Sequence, residues 1–528
     1  MKHNPAALVG LVALVALASR AQAQAIPVDV LIAGATLYDG SGTPGRLADL
    51  GIRADRIAFI GDASQSRLTA ARRIDATGLI VAPGFVDPHT HTQGDLSSAA
   101  GRGNVAYLMQ GVTTVATNND GGGAINIGAT LAHWDSGGIG TNAILYVPQG
   151  SVRQQVMGMS DRAPTATQLD AMKALVERGM RDGAFGISTG LYYAPGSYSS
   201  TEEVIELAKV AARHGGIYDT HQRDESSYTI GLLNSVREVL RIGREAGIPV
   251  HISHIKALGV DVWGKADSVI ALVHEAQRAG VTVSAGQYPY DASGTSLGAS
   301  LLPRWAEAGG RDSLLARIAD GPTHARLVAE MRENLRRRGG AASLLVISSR
   351  RGDLVGQRLD AIAAARGVEP VEAALQVIRT DGDASTASFN MNANDIETFM
   401  RADFVTTDSD GSGGHPRKYG TFPKKLRDYV LDRPVLSMER AIQASSAQTA
   451  RDLGIAQRGR LQEGWFADVI VFDPKTIRDR STYTEPERLA TGMRWVFVNG
   501  RAAVENGAAT GVLAGRALRK DGDEPRVP

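Results

Sequence analysis

Two histidines separated by one residue, in the stretch APGFVDPHTHTQGDL, are the first residues whose type and spacing could bind a metal. His89 and His91 follow an apolar run, and residues two apart in a β-strand point to the same side. Both imidazoles could therefore face one cation. A His-x-His pair alone does not establish a metal site, because histidines also occur in strands as hydrogen-bonded core or surface residues.

Other polar residues lie at the ends of further apolar runs. Asp120 follows TTVATNN, His221 ends GIYDTH, His254 ends HISH, and Asp410 lies in TTDSDG. If these runs are parallel strands of one barrel, their carboxyl ends meet at one mouth, where imidazoles and carboxylates would surround a divalent cation. The metal ligands predicted in this way are His89, His91, Asp120, His221 and His254. His251 is not included, because a spacing of three from His254 places it on the opposite face of the strand.

The elements that must position these residues alternate along the middle of the chain. Between about residues 83 and 454, an apolar strand, a loop and an amphipathic helix follow one another repeatedly, and eight such strands can be counted. This pattern predicts an α/β fold in which a (β/α)8 TIM-like barrel carries its active site at the C-terminal ends of the strands. Residues from about 296 to 400 do not fit the alternation and are predicted to be an insertion before the last strand.

The two ends of the chain have a different sequence pattern, which predicts short strands separated by turns that contain Gly, Asp and Asn. Residues 26–82 and 455–515 each contain too few strands to bury a face alone. We therefore expect them to pair into one small β-sandwich domain.

Composition excludes several classes of function. The chain has 57 Lys and Arg against 56 Asp and Glu, so no basic surface for nucleic acid is expected, and recognition of a small molecule in a pocket is favoured. It contains no cysteine, so a disulfide framework, a thiolate ligand and a cysteine nucleophile are unavailable.

The N-terminus has the pattern of a secretory signal. Lys2 and His3 precede an apolar run over residues 6–18, and small residues that suit cleavage follow it, so residues 1–25 are predicted to be a signal peptide. The run is shorter than the roughly 20 residues that span a bilayer. The mature protein is expected to be exported, periplasmic or secreted, without a membrane anchor.

An ordered set of motifs resembles the amidohydrolase superfamily and, within it, the N-acyl-D-amino-acid deacylase (D-aminoacylase) family. In chain order the motifs are APGFVDPHTH, GVTTVATNNDGG, GISTGLYYAPGSY, THQRDE, ISHIK, YPYDASGTSL, SDGSGGHPRKYGTFP and FVNGRAAVENG. The resemblance covers nearly the whole mature chain. It implies a metal-bearing barrel with a small β-domain, usually with zinc, and hydrolysis of the amide bond of an N-acyl-D-amino acid.

The resemblance also implies roles for individual residues. His221 and His254 match the tightly held metal ligands, His89 and His91 match a second and weaker metal position, and Asp410 matches the catalytic acid/base. The positions that match substrate-binding residues are Lys256, Tyr288 and Arg417, with Tyr192 or Tyr193 as a further candidate.

Two departures from the family pattern affect the site. Where the family commonly has GNCG with a cysteine on the metal, this chain has NNDG, which places Asp120 there. A carboxylate is a harder ligand than a thiolate, so one or two zinc ions or another divalent metal are expected. The second departure is the loop after Asp410, which forms a wall of the substrate pocket and is short and rich in glycine here.

Several alternatives remain at this level. A related amidohydrolase acting on dipeptides, other N-acyl amino acids or cyclic amides would share the barrel and its metal ligands. A hydantoinase-like site usually needs a carboxylated lysine, and the sequence offers no convincing lysine at a strand end for that role, since Lys173 lies in a helical stretch. A non-catalytic binding protein is disfavoured by the retained histidines and Asp410. Arg223 could bind an acidic group of the substrate or pair with Asp224 or Glu225.

Overall fold

The computed structural model describes residues 26–66, 68–382 and 384–520. The predicted signal peptide lies outside the described residues. The strands, in chain order, are β1 (Ile26–Leu37), β2 (Arg46–Arg53), β3 (Arg56–Gly61), β4 (Leu68–Asp75), β5 (Ile80–Pro83), β6 (Phe85–Asp87), β7 (Val112–Thr117), β8 (Asn142–Leu145), β9 (Val147–Pro148), β10 (Gly186–Gly190), β11 (Ile217–His221), β12 (Val250–Ile252), β13 (Val283–Gln287), β14 (Ala292–Ser296), β15 (Leu344–Ser348), β16 (Ser385–Phe389), β17 (Val405–Thr407), β18 (Val469–Phe472), β19 (Met493–Val498), β20 (Arg501–Glu505) and β21 (Ala508–Ala509).

The α-helices lie mainly between the barrel strands and in the insertion. They are α1 (Gln93–Leu96), α2 (Val105–Leu108), α3 (Ile127–Gly137), α4 (Gln149–Met157), α5 (Ala166–Arg181), α6 (Thr201–Arg213), α7 (Leu232–Ala246), α8 (Ala266–Arg278), α9 (Leu297–Leu301), α10 (Arg311–Ala319), α11 (Gly321–Arg337), α12 (Leu359–Arg366), α13 (Pro370–Thr380), α14 (Ala393–Arg401), α15 (Arg417–Leu426), α16 (Met438–Ser445) and α17 (Ala447–Leu453).

The central unit is a ring of parallel strands. Two runs of paired strands, β6-β7-β8 and β9-β10-β11-β12-β13-β17, are joined because β8 and β9 are separated only by Tyr146. Beyond β6 and β17 the first and last strands also meet: the Asp410 N–H donates to the His89 carbonyl at 3.0 Å, and the His91 N–H donates to the Gly411 carbonyl at 3.1 Å. The ring is therefore closed by eight strands, which confirms the predicted barrel.

The outer helices form because their sequences are capped and carry one apolar face. In α6, the Ser200 hydroxyl accepts from the Glu203 N–H and caps the first turn, while Val204, Leu207 and Ala211 are buried. α5 begins with a reciprocal capping box between Thr165 and Gln168. These faces pack on the strands and fix the strand ends where the polar residues lie.

The insertion is a compact unit between the seventh and eighth barrel strands. It contains the antiparallel sheet β14-β16-β15 and the helices α9 to α13, and it buries its own apolar core. The following helix, α14, contacts α8 and β17 and so belongs to the barrel. The insertion thus spans residues 292–389, which begins and ends earlier than the range expected from the sequence.

Strands from both chain ends form one continuous nine-stranded sheet. β1 to β5 come from the N-terminal side and β18 to β21 from the C-terminal side, and the antiparallel pairing of β5 with β18 joins the two sets. The sheet encloses a core that includes Ile32, Leu50, Val469 and Phe497. Because β5 runs into β6 through Gly84, this domain is attached directly to the first barrel strand.

Among the described residues, no helix has the length and apolar character needed to cross a membrane.

Candidate active site

The structure brings the six predicted ligand and catalytic residues together at the barrel mouth. His89 and His91 follow β6, Asp120 follows β7, His221 ends β11, His254 follows β12 and Asp410 follows β17. The convergence follows from the parallel arrangement, because every strand delivers its C-terminal end to the same side.

Asp120 lies at the centre of the histidines. Its Oδ1 is 3.4 Å from His89 Nε2, 3.5 Å from His254 Nε2 and 3.7 Å from His221 Nδ1. Its Oδ2 is 3.6 Å from His91 Nε2. One carboxylate oxygen therefore faces three histidines and the other faces the fourth.

These separations fit a divalent metal. Four ligand atoms at 2.0–2.2 Å from a tetrahedral zinc ion lie about 3.3–3.6 Å apart, close to the spacings around Asp120. Asp120 Oδ1 and His89 Nε2 are buried and have no hydrogen-bond partner, although buried polar atoms are nearly always satisfied. The donor set of His89, Asp120, His254 and Asp410 also lies within one 4.8 Å group. The residues present thus suit a metal that coordinates through imidazole and carboxylate.

The pKa values of the histidines are consistent with this use. Burial lowers the pKa of both His89 and His221 to about 4, so their imidazoles are neutral and offer lone pairs at neutral pH. Burial and Lys256 also oppose the charging of His254, but the carboxylates of Asp410 and Glu225 outweigh them and raise its pKa to about 10. The carboxylates around His254 therefore favour a positive charge at this position. A bound metal cation would supply that charge in place of the proton on the His254 imidazole.

Three residues of the site have a backbone conformation that side chains rarely adopt. Asp120, His254 and Asp410 have φ values of 57°, 36° and 45°. Such residues cost free energy and persist where the surroundings fix them, often at functional sites. Each lies two or three residues after the end of a strand, where the turn of the backbone aims its side chain into the mouth.

A hydrogen bond to the Asp408 side chain fixes the backbone turn at His254. The Asp408 Oδ2 accepts from the His254 N–H at 3.0 Å. A Cβ at Gly286 would lie 2.0 Å from the same oxygen, so only glycine on β13 permits this approach. Asp408 and Gly286 therefore hold the His254 backbone in place.

Glu225 is a site residue that the sequence did not assign. Its Oε1 lies 3.1 Å from His254 Nδ1 and 2.7 Å from Lys256 Nζ, and its Oε2 lies 3.8 Å from His221 Nε2. These are the ring nitrogens that face away from Asp120. A carboxylate on the outer nitrogen orients a ligating imidazole and raises its basicity, so Glu225 orients His254, to which it is hydrogen-bonded, and adds negative charge beside His221. Its spacing of four residues from His221, within THQRDE, was the available signal.

Asp410 is held between a histidine and an arginine. Its Oδ1 is 3.1 Å from His91 Nε2, and its Oδ2 is 2.7 Å from Arg417 Nη1. Burial alone would raise the pKa of Asp410, but Arg417 and His254 hold it well below its usual range. The carboxylate is therefore ionised and oriented toward the histidines.

The other residues predicted to bind substrate surround the same space, with one exception. Tyr288 is buried and its hydroxyl has no hydrogen-bond partner, and its ring lies 5.4 Å from Lys256 Nζ and 4.8 Å from the Arg417 guanidinium. The rings of Tyr192 and Tyr193 lie 5.6 and 4.7 Å from the His221 ring. Together these groups form a cationic and aromatic wall.

Arg223 is the exception. It donates to both carboxylate oxygens of Glu238 on α7 at 2.9–3.1 Å, and to the carbonyls of Ser197 and Ser199. It lines a neighbouring cavity and not the metal-facing one. Arg223 is therefore a structural residue, and its partner is neither Asp224 nor Glu225.

The space above the histidines has two branches that share Tyr193, Gly294, Thr295 and Asp410. One is an enclosed branch, lined by residues that include Tyr192, Tyr228, Lys256, Leu258, Tyr288 and Arg338. The other is an open branch, lined by His91, Asp120 and the glycine-rich loop after Asp410 together with residues of the insertion. A substrate with two unequal halves could place one half in each branch, with the scissile bond above the histidines.

Comparisons with known proteins give one consistent relationship. Residues 72–504 match the amidohydrolase family Amidohydro_3. The chain is 36% identical to D-aminoacylase from Alcaligenes xylosoxydans xylosoxydans, over 94% of this chain and 99% of that protein. A structure of D-aminoacylase, described as having a binuclear metal centre with one-metal activation and second-metal attenuation, matches with a TM-score of 0.80 and 33% identity, covering 93% of this chain and all of that one. A structure of N-acyl-D-glutamate deacylase from Bordetella bronchiseptica, complexed with zinc and a phosphonate mimic of the tetrahedral intermediate, matches with a TM-score of 0.79 and 30% identity, covering 94% of this chain and all of that one.

Proposed function

Because this chain belongs to the amidohydrolase family, we propose that it is a metal-dependent hydrolase that cleaves N-acyl-D-amino acids into a carboxylate and a free D-amino acid. The observation that carries the proposal is the placement of Asp120 among four histidines with the ionised Asp410 beside them. The similarity to D-aminoacylase over almost the full length of both chains supports the choice of substrate.

The metal position is formed by His89, His91, Asp120, His221 and His254. A zinc ion at such a site lowers the pKa of water from 15.7 to about 7 and polarises a carbonyl group. Zinc is proposed because the related N-acyl-D-glutamate deacylase was solved with it. Because the two oxygens of Asp120 face different histidines, these residues could hold either one ion or two.

Asp410 moves the proton in the proposed reaction. An amide nitrogen leaves only when it is protonated, so a group must take a proton from the attacking water and return it to that nitrogen. The Asp410 carboxylate lines the cavity beside His91, where it would face both the attacking water and the leaving nitrogen. General acid/base catalysis of this kind contributes roughly 10²–10⁴-fold. His91 and Arg417 hold it in orientation.

The substrate carboxylate would be bound by the cationic wall. Arg417 uses Nη1 for Asp410 and lines the open branch of the cavity, so its guanidinium can contact a second anion. The Tyr288 ring lies 4.8 Å from this guanidinium and 5.4 Å from Lys256 Nζ. The α-carboxylate in this corner would place the neighbouring amide above the histidines.

The proposal is tested with a substrate panel and metal-quantified protein. N-acetyl-D-amino acids, their L-enantiomers, D-containing dipeptides and hydantoins are incubated with the enzyme, and the released amine is measured. Hydrolysis of N-acetyl-D-amino acids that is lost on chelation and restored by zinc is the expected result. Activity limited to L-compounds or to cyclic amides would contradict the proposal.

We also propose that the protein is exported, on the basis of the charged start, apolar run and small-residue segment of residues 1–25. Expression of the full chain followed by fractionation and N-terminal sequencing tests this. A mature protein that begins near residue 24 or 26 in the periplasm or medium is expected. An uncleaved N-terminus in the cytoplasm would contradict it.

A further inference from the structure

Arg338 is a buried arginine in the wall of the enclosed branch. It directly follows α11 of the insertion and is 2% exposed. Its Nε donates to the Ser300 carbonyl at 2.8 Å, its Nη1 to the Ser388 hydroxyl at 3.0 Å, and its Nη2 to the Tyr192 hydroxyl at 3.3 Å. A guanidinium has five N–H donors, so these three bonds leave part of its donor capacity unused.

Arg338 also differs from comparable arginines in lacking a carboxylate. Among the described residues, Arg153 pairs with Glu203, Arg417 with Asp410, and Arg458 with Asp468. All three are as deeply buried as Arg338, for which the described part of the chain provides no carboxylate within ion-pair distance. A buried charge without a counter-ion is costly, so this guanidinium is suited to an anion that arrives with a ligand.

The position of Arg338 connects it to the reaction site. It lines the same enclosed branch as His221, Lys256 and Asp410. Its hydrogen-bond partner Tyr192 stacks on the His221 ring at 5.6 Å. The branch therefore has Lys256 near the histidines and Arg338 in its wall, with the apolar side chain of Leu258 and the ring of Tyr228 also lining it.

We propose that Arg338 binds the side-chain carboxylate of the substrate, so that the preferred substrates are N-acyl derivatives of acidic D-amino acids. The inference rests on the proposed function. The α-carboxylate occupies the corner formed by Arg417, Lys256 and Tyr288, and the side chain extends along Leu258 toward Arg338. The acyl group then occupies the open branch. Arg338 takes the specificity role that the sequence had suggested for Arg223.

The test compares acids with their neutral isosteres. For the wild-type enzyme, kcat/KM for N-acetyl-D-glutamate is expected to exceed that for N-acetyl-D-glutamine by about 10- to 100-fold, the range of a charge-assisted hydrogen bond. In Arg338→Met, kcat/KM for the glutamate compound should fall by this factor, while the glutamine compound changes by less than about threefold. Arg338→Lys should keep part of the preference.

Arg337→Met is the matched control. Arg337 is the neighbouring residue, lies over the same Tyr228 ring, and has its own carboxylate in Glu333 at 3.4 Å. Its replacement should leave the ratio between the two substrates unchanged.

The outcomes separate the two proposals. If the wild-type enzyme hydrolyses both substrates equally, or if Arg338→Met slows both equally, Arg338 only supports Tyr192 and the inference is overturned, while the deacylase function stands. If no N-acetyl-D-amino acid is hydrolysed, the proposed function itself fails. Should Arg338→Met not fold, the wild-type ratio and Arg338→Lys still decide.

Discussion

Replacement of Asp410 by asparagine separates a proton-transfer role from a ligand role. The carboxamide has almost the same size, but it cannot accept a proton from water or return one to the leaving nitrogen. We expect kcat to fall by roughly 10²–10⁴-fold, equivalent to about 2.7–5.4 kcal/mol of activation free energy at 1.36 kcal/mol per tenfold. Metal content should stay that of the wild type, because Asp120 and the four histidines are unchanged.

The same substitution should also lower stability, because it leaves Arg417 buried without a counter-ion. The side chains of Arg417 and Asp410 are 1% and 8% exposed, and their closest atoms are 2.7 Å apart. Removing one partner of such a pair costs about 3–5 kcal/mol. The free energy of unfolding in urea should fall by this amount, and activity must be measured where circular dichroism shows the variant fully folded.

A double variant provides the control for stability. Asp410→Asn combined with Arg417→Met removes both charges, so most of the lost free energy of unfolding should return. Amine release, metal analysis by plasma mass spectrometry and urea unfolding are measured for all three proteins. Turnover of the single variant within tenfold of the wild type would refute the acid/base role. Loss of metal would show that Asp410 is a ligand, and a double variant no more stable than the single one would refute the ion-pair reasoning.

Three further predictions follow from neighbouring residues. Asp120→Asn should lower the metal bound per chain, because both carboxylate oxygens face histidine nitrogens, and unchanged metal content would exclude bridging. Glu225→Gln should weaken metal binding by about 10–100-fold in a chelator competition, because the His254 ring loses its carboxylate partner; wild-type affinity would assign Glu225 a different role. Burial lowers the pKa of the His251 imidazole to about 3 in the folded protein. As the pH falls below about 6.5, the unfolded chain takes up a proton at this imidazole while the folded protein does not. The free energy of unfolding that is present above pH 6.5 is therefore lost as the pH falls toward 3. The loss due to His251 should reach about 2 kcal/mol at pH 5, and His251→Asn should flatten the pH dependence of urea unfolding, whereas an unchanged slope would contradict the assignment.

The barrel and most of the site were predictable because they depend on local patterns. Apolar runs of strand length and helices with one apolar face are read directly from the sequence, and parallel strands deliver their ends to one mouth whatever the details of packing. The placement of His89, His221 and His254 beside Asp120 followed from their positions at those ends. The family resemblance added the proposed acid/base role of Asp410, which the substitution described above tests.

The partners of charged side chains were less accessible to sequence reasoning. Glu225 lies among several polar residues of a loop, and only its contacts with His254 and Lys256 distinguish it from its neighbours. Arg223 lies only two residues after His221, yet it turns to Glu238 on the following helix. The choice between adjacent carboxylates depends on loop geometry, which hydrophobic periodicity does not specify.

The sequence by itself determined the fold class, the residues at the strand ends and the type of the candidate metal ligands, since each follows from residue type and short-range spacing. The tertiary structure alone decided that both oxygens of Asp120 face histidines, that Arg417 pairs with Asp410, and that an arginine of the insertion reaches the site wall. Arg338 is 117 residues beyond His221 in the chain, and only the packing of the insertion on the barrel brings it near. Contacts between distant segments depend on how complete elements pack, and that information is spread over the whole core.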